Sequence, residues 1–185
     1  GIIAGIQTVV LNGEEYPAII YDREGIGIYR NDSLEIIKPN SPVSNLFKDV
    51  AMDVNGNLWA STDGSKTGQG FMKFDGSQWQ NYHDKSMPDL KGTRSSFAVS
   101  TFPDGRVLIG TWGSGYFLAT PVDTGYRFER FYNENSPIVN DFSVVAEAKM
   151  DSRGSIWFIE HGAVSTGNLL YEYDMEGNFH TYPNY

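Results

Sequence analysis

Few residues in this chain could do chemistry. Glu160 and His161 set a carboxylate beside an imidazole, a pair able to move a proton near neutral pH or to hold a metal. Adjacent side chains on a strand point to opposite faces, so the two cooperate only where the chain bends. The other histidines are His83 and His180, and no second imidazole stands at a spacing that would complete a site. Trp112, beside Gly113-Ser114-Gly115, has the character of a stacking platform for a sugar or an aromatic ligand. Lys66 lies in the Gly- and Ser-rich stretch 63–69, which lacks the Gly-Lys-Ser/Thr tail and following helix of a phosphate loop. Asp53-Val54-Asn55-Gly56-Asn57 begins like a calcium loop, but its glycine comes at the fourth position and no glutamate stands at the twelfth, so it reads as a hairpin turn. Trp112-Gly113-Ser114-Gly115 lacks the strand-to-helix elbow of a hydrolase nucleophile. The candidate ligand-binding residues are therefore Trp112, Glu160, His161 and Lys66, with no catalytic set, no metal site and no cofactor expected.

The elements that must position them follow from an internal repeat. Asp53-Val54-Asn55-Gly56-Asn57-Leu58-Trp59 is written again closely from Asp151 to Trp157 and loosely from Phe102 to Leu108. The pivots Gly56, Gly105 and Gly154 are 49 residues apart at each step, and a fixed period in this range marks a repeat architecture. Each copy has an apolar or alternating run, a tight polar turn, a second run rich in Trp, Ile, Leu and Phe, then a third and a fourth run separated by another turn. Such runs bounded by Asp, Asn and Gly read as strands of hairpins. The unit is thus a four-stranded antiparallel sheet, and radial repetition of such sheets predicts an all-β propeller. Trp59, Trp79 and Trp157 are expected to pack between neighbouring sheets. The N-terminal segment is a shorter, weaker copy.

Repeats of roughly 1–42, 43–90, 91–139 and 140–185 fill the chain as one propeller domain, and each hand-over carries a Ser-Pro or Ser-x-Pro element at Pro42, Pro88 and Pro137. The connection from His83 to Arg94 reads as a solvated loop. The long second-to-third-strand loops around Lys66 and at 162–166 are expected to open on one face, where insertions in a repeat array mark a binding surface. Four blades sit at the low end of propeller sizes, so the chain is expected to be part of a larger ring, closed by further blades or by self-association.

Composition excludes several classes. The chain has 185 residues, 14 basic and 23 acidic, for a formal net charge of −9. No basic run offers a nucleic-acid footprint. There are no cysteines, so disulfides and thiolate metal sites are absent. No apolar run approaches the roughly 20 residues of a membrane helix.

The unit Asn-Ser-Pro, Asp-x-x-Gly-x-Leu/Ile-Trp, Gly-x-x-x-Phe and Trp/Phe-x-x-Tyr resembles the two-component regulator propeller repeat. Asp53 to Tyr82 and Asp151 to Tyr182 carry it best. That resemblance implies part of a seven-bladed ring and a non-catalytic binding module of the bacterial envelope, periplasmic or at the cell surface. The module would be the ligand-sensing region of a hybrid histidine kinase or a PorZ-like surface scaffold of a secretion system. Its partners would be a saccharide or other small molecule, or envelope proteins. Gly154 to Glu160, with Gly177 to Pro183, is also similar to the repeat of streptogramin B lyase propellers, which implies a lyase or hydrolase acting at the ring centre as the alternative. Those enzymes use a His and a Glu-x-His pair with magnesium; here Glu160 and His161 are adjacent, so that pattern is not met.

Overall fold

The computed structural model describes residues 2–22, 25–62, 68–85, 87, 90–138, 142–161 and 168–183. These form four four-stranded antiparallel sheets, each a meander of consecutive strands. Sheet 1 is β1 (Ile3–Leu11), β2 (Glu14–Tyr21), β3 (Gly25–Arg30) and β4 (Ser33–Ile37). Sheet 2 is β5 (Asp49–Met52), β6 (Leu58–Ser61), β7 (Phe71–Phe74) and β8 (Trp79–Tyr82). Sheet 3 is β9 (Ser96–Thr101), β10 (Val107–Thr111), β11 (Tyr116–Val122) and β12 (Gly125–Phe131). Sheet 4 is β13 (Val144–Met150), β14 (Ile156–His161), β15 (Asn168–Tyr173) and β16 (Phe179–Pro183). Contacts divide the chain into two compact units: Gly1–Ser41, with sheet 1, and Pro42–Tyr185, with sheets 2 to 4.

In the first unit, Asn12 (φ 54°) and Gly13 (φ 86°) make a two-residue turn that sets Leu11 opposite Glu14. Both residues lie in the left-handed region that such hairpins need and that Asn and Gly tolerate best. In the second unit the repeated hairpin is organised differently. Asp53 Oδ1 accepts the backbone N–H groups of Asn55 and Asn57, each at 2.9 Å, and Oδ2 accepts the indole N–H of Trp59 at 2.9 Å. Asp151 does the same with Arg153 (2.9 Å), Ser155 (3.1 Å) and Trp157 (3.1 Å). The aspartate closes the turn and ties it to the tryptophan six residues on. Sheet 3 carries Phe102 and Leu108 at these two positions, both buried. A hydrogen-bonded polar pair has been exchanged as a pair for an apolar one, which avoids leaving a buried carboxylate or indole without its partner. The pivots Gly56, Gly105 and Gly154 all sit at positive φ, 79°, 85° and 90°.

Two clusters form the core of this unit. Between sheets 2 and 3, Trp59 and Phe71 pack with Val99, Ile109 and Phe117. Between sheets 3 and 4, Tyr116, Leu118 and Phe131 pack with Phe158 and Tyr171. Apolar residues of the connections plug both: Leu90 the first and Ile138 the second. The 83–94 connection is therefore not simply a solvated loop. Leu90 and Thr93 are buried, and Thr93–Ser95 forms a short 3-10 turn against the sheets.

Polar bonds stitch the sheets where the inner strands β5, β9 and β13 run side by side. Asp49 Oδ2 accepts the Val99 N–H (2.9 Å), Ser100 Oγ accepts the Ala148 N–H (3.1 Å), and the Arg106 guanidinium donates to the Gly154 carbonyl (2.9 Å). Trp59 lies between sheets as expected. Trp157 does not: it lies on the face of sheet 4 turned away from sheet 3, partly exposed, with its ring against Tyr182, centroids 5.2 Å apart and planes tilted by 30°.

Candidate functional site

The candidates gather at the ends of the second strands. In sheets 2 and 3 that position is a buried threonine. Thr62 and Thr111 donate their hydroxyls to the carbonyls of Gly70 and Gly115, both at 2.7 Å, and accept the N–H groups of Gln69 (2.9 Å) and Ser114 (2.8 Å). Glu160 holds the corresponding place in sheet 4. Its side chain is fully buried and its Oε2 accepts the Tyr171 hydroxyl at 2.9 Å, while Oε1 has no hydrogen-bond partner among the described residues. Burial first, then the Glu160 carboxylate, pushes the Tyr171 hydroxyl well up from its ordinary value. A carboxylate accepts where the threonine donated, so this end of sheet 4 is built unlike the others. His161, the next residue, is exposed. Burial alternates along β14, with Glu160 buried and His161 exposed, although β13 carries a register shift opposite Glu160, and the two side chains do not form an acid–base pair.

Trp112 follows β10 and donates its backbone N–H to the Ser95 carbonyl at 2.7 Å. Its ring meets Phe97 at 5.0 Å between centroids, tilted by 55°, and the Lys48 ammonium lies 4.8 Å from the Phe97 centroid. Gly113 and Gly115 both donate to the Ser143 carbonyl (2.9 and 3.3 Å), which anchors the Gly-Ser-Gly turn on the next sheet's approach. Phe142 covers Gly113 so closely that a Cβ there would stand 2.5 Å from its ring. Trp112 remains 46% exposed and Phe142 57%. Phe97 and Trp112 thus make an aromatic pair with the Lys48 ammonium over Phe97, and the half-exposed Phe142 flanks it across Gly113, a surface suited to stacking a flat or sugar ring and pairing a polar substituent.

Val144 joins this surface to sheet 4: it bridges Trp112 on one side and pairs with His161 on the other. Trp112 and His161 therefore share one end of the second unit, flanking Val144, whereas the Glu160 side chain is directed inward. Lys66 and the 162–167 segment lie outside the described residues. Lys48, Phe97 and Phe142 were not singled out from sequence. Their signal is weak, a single aromatic or lysine just before or just inside a first strand, and only the approach of successive sheets unites them.

Two cavities complete the polar surface. One of about 550 Å³ follows β5, β9 and β13, lined among others by Asp49, Ser100, Thr101 and Lys149. Much of its polarity is committed, since Asp49 and Ser100 already hold neighbouring backbone N–H groups. The other, about 420 Å³, lies on sheet 4 among Arg153, Glu172, Asp174, His180 and Tyr182. There the His180 ring is 2.8 Å from Asp174, Tyr182 donates to Glu172 at 2.7 Å, and Arg153 reaches Glu172 at 3.2 Å. Among the described residues no group of three or more His, Cys, Asp or Glu is placed to hold a metal ion.

This network makes stability depend on acid. The His180 bond first, with the Asn178 N–H, holds Asp174 down at about 2; Arg153, with the Trp157 and backbone donors, holds Asp151 at about 2. Burial pushes the Asp53 carboxyl up, but bonds from Asn57, Trp59 and the backbone outweigh it and hold it below its ordinary value. Carboxyls depressed in the folded state stabilise above the unfolded value near 4, and the contribution is lost as pH falls toward about 2. Melting temperature should fall steeply between those limits and less so in Asp151→Asn. A melting temperature that is level from pH 5 to pH 2 would contradict this assignment.

No family model and no curated protein matches the chain. Solved structures do. PorZ, described as an essential surface component of the type-IX secretion system of Porphyromonas gingivalis, is 21% identical with a TM-score of 0.64, over 95% of this chain and 25% of that one. The extracellular domain assigned to hybrid two-component system BT4673 of B. thetaiotaomicron is 14% identical with a TM-score of 0.50, over 97% and 22%. A protein of unknown function from Bacteroides caccae is 16% identical with a TM-score of 0.50, over 94% and 65%. The chain spans about a quarter of the length of the first two. With its four sheets of four antiparallel strands, it has the β-propeller fold that the 49-residue repeat predicts.

Proposed function

We propose that this chain is a non-catalytic, extracytoplasmic propeller module that binds and presents a saccharide or similar small ligand at the Trp112 end of its second unit. The observation that carries the reading is the exposed Trp112 seated on Phe97, with the Lys48 ammonium over Phe97 and His161 across Val144. An aromatic ring already held by its neighbours offers a large contact area and loses little conformational entropy when a ligand stacks on it. Support for an envelope setting comes from the fold's likeness to a secretion-system surface component, PorZ. The likeness to the BT4673 extracellular domain supports a second setting, the sensing region of a two-component system. Glu160 and His161, directed to opposite sides, do not support the alternative of a lyase or hydrolase.

A panel of neutral and acidic oligosaccharides, read by thermal shift and tryptophan fluorescence, tests the reading. A ligand bound only by the native state must raise its melting temperature. Trp112→Ala should weaken that ligand at least tenfold, in line with about 1.4 kcal/mol per factor of ten, while the unliganded melting temperature barely moves because the ring is half-exposed. Binding that survives Trp112→Ala unchanged, or no binding across the panel, would overturn it.

A further inference from the structure

Sheet 2 shows what one of these blades needs on its far face. Its Trp59, stacked on Tyr82, receives Tyr126 of sheet 3 edge-on at 4.9 Å, Phe128 closes over Phe71 and Tyr82, and Asp49 takes the Val99 N–H. Sheet 4 repeats this socket in register. Trp157 stands for Trp59, held by Asp151 as Trp59 is by Asp53; Tyr182 stands for Tyr82 and packs against Trp157 at a 30° tilt; Glu147 stands for Asp49. No described residue fills it: Ile159 is 48% exposed, and a depression of about 220 Å³ lies over Trp157, Ile159 and Leu170.

The same chain carries the matching insert. On sheet 3 the face that enters the socket of sheet 2 is built on Val99, Ile109 and Phe128. Cross-strand register puts Ile6, Ile19 and Leu34 at those positions in sheet 1. That face is apolar and open. Tyr21, Leu34 and Ile36 gather over Gly27, while Ile6 is 68% exposed and Leu34 41%. An exposed apolar sheet face of this extent, rimmed by polar residues, marks an interaction surface.

We infer that the socket of sheet 4 receives sheet 1 of a second copy of this chain, repeating between molecules the packing that sheets 2 and 3 make within one. The interface is heterologous, insert into socket, so copies either close on one another or add in series. The chemistry is that of the existing junction: aliphatic side chains onto Trp157, Ile159 and Tyr182, with the Glu147 carboxylate offered to a backbone N–H of the incoming first strand.

Sedimentation of the 185-residue chain over a hundredfold range of concentration tests this. Self-association should appear and strengthen with concentration. Leu34→Lys spoils the insert and Ile159→Lys the socket; both positions are exposed, so circular dichroism should report unchanged folding. Each variant alone should associate at least tenfold more weakly. An equimolar mixture should regain pairing that stops at two copies, since the intact socket of the first accepts the intact insert of the second. A chain that stays at monomer mass throughout, or variants that associate as the parent does, would show that these faces serve some other occupant and would overturn the inference.

Discussion

Replacing Gly110 by alanine should leave the second unit unable to assemble. Gly110 lies in the middle of β10, and a Cβ there would stand 1.8 Å from the Val145 carbonyl oxygen and 2.8 Å from its carbon. Those atoms belong to the backbone of β13, so no side-chain rotation relieves the clash. Sheets 3 and 4 must separate by more than an ångström, which opens the cluster of Tyr116, Phe131, Phe158 and Tyr171. Close-packed interiors tolerate little added volume: extra methylenes in a core typically cost about 1–3 kcal/mol even where side chains can adjust, and here backbone must move. We expect a loss at the upper end of single-substitution effects, about 4 kcal/mol or more, seen as insoluble protein or loss of the cooperative melt. A Gly110→Ala protein melting within a few degrees of the parent would mean β10 and β13 do not approach as described. Gly56→Ala is the informative contrast: nothing lies within 4 Å of its Cβ position, so only its φ of 79° is strained, a cost of about 1–2 kcal/mol.

Trp59→Ala should be the second severe change. Trp59 is completely buried, stacked on Phe71 and Tyr82 and met edge-on by Tyr126, and its indole N–H satisfies Asp53. Truncating a buried tryptophan costs about 3–5 kcal/mol through lost transfer energy and the cavity left behind. Trp59→Phe keeps most of the ring contact and removes the bond to Asp53, so it should cost less, on the order of 1–3 kcal/mol for a polar group deprived of its partner. Sheet 3 shows how the loss is compensated: Phe102 and Leu108 replace aspartate and tryptophan together. Asp53→Phe combined with Trp59→Leu should therefore destabilise by less than the sum of the two single changes, with a coupling of about 0.5–3 kcal/mol in a double-mutant cycle read by urea melts. Strict additivity would show that the aspartate and indole act independently.

The sixteen strands, their grouping in fours and the turns between them were legible because each is a local pattern written several times. Asp53 and Asp151, with their Trp partners six residues on, announce the same hairpin, and the period of 49 residues carries the register from one sheet to the next. The inward and outward choices at Glu160 and His161 follow from strand alternation and needed nothing more. Trp157 shows the limit of reading by repetition. Its local environment copies that of Trp59, down to the bond to aspartate, yet whether such a ring is buried depends on a neighbouring sheet that local sequence does not specify.

The candidate site shows the same division. Trp112 could be singled out by its place on a Gly-Ser-Gly turn, but the residues that give it a floor and a charge, Phe97 and Lys48, come from other parts of the repeat. So does Phe142, which closes on Gly113. The sequence by itself determined the all-β class, the four-stranded unit, the hairpin turns after Asp53 and Asp151, and the absence of thiol chemistry. Those properties rest on interactions within a few residues or on composition. Only the tertiary structure decided which side chains from separate copies meet. It set Val144 between Trp112 and His161, placed Leu90 and Ile138 as plugs, required glycine at position 110 and left the face of Trp157 open. The physical reason is that sheet-to-sheet packing depends on the distance and twist between backbones far apart in the chain, and neither quantity is encoded in any one local stretch.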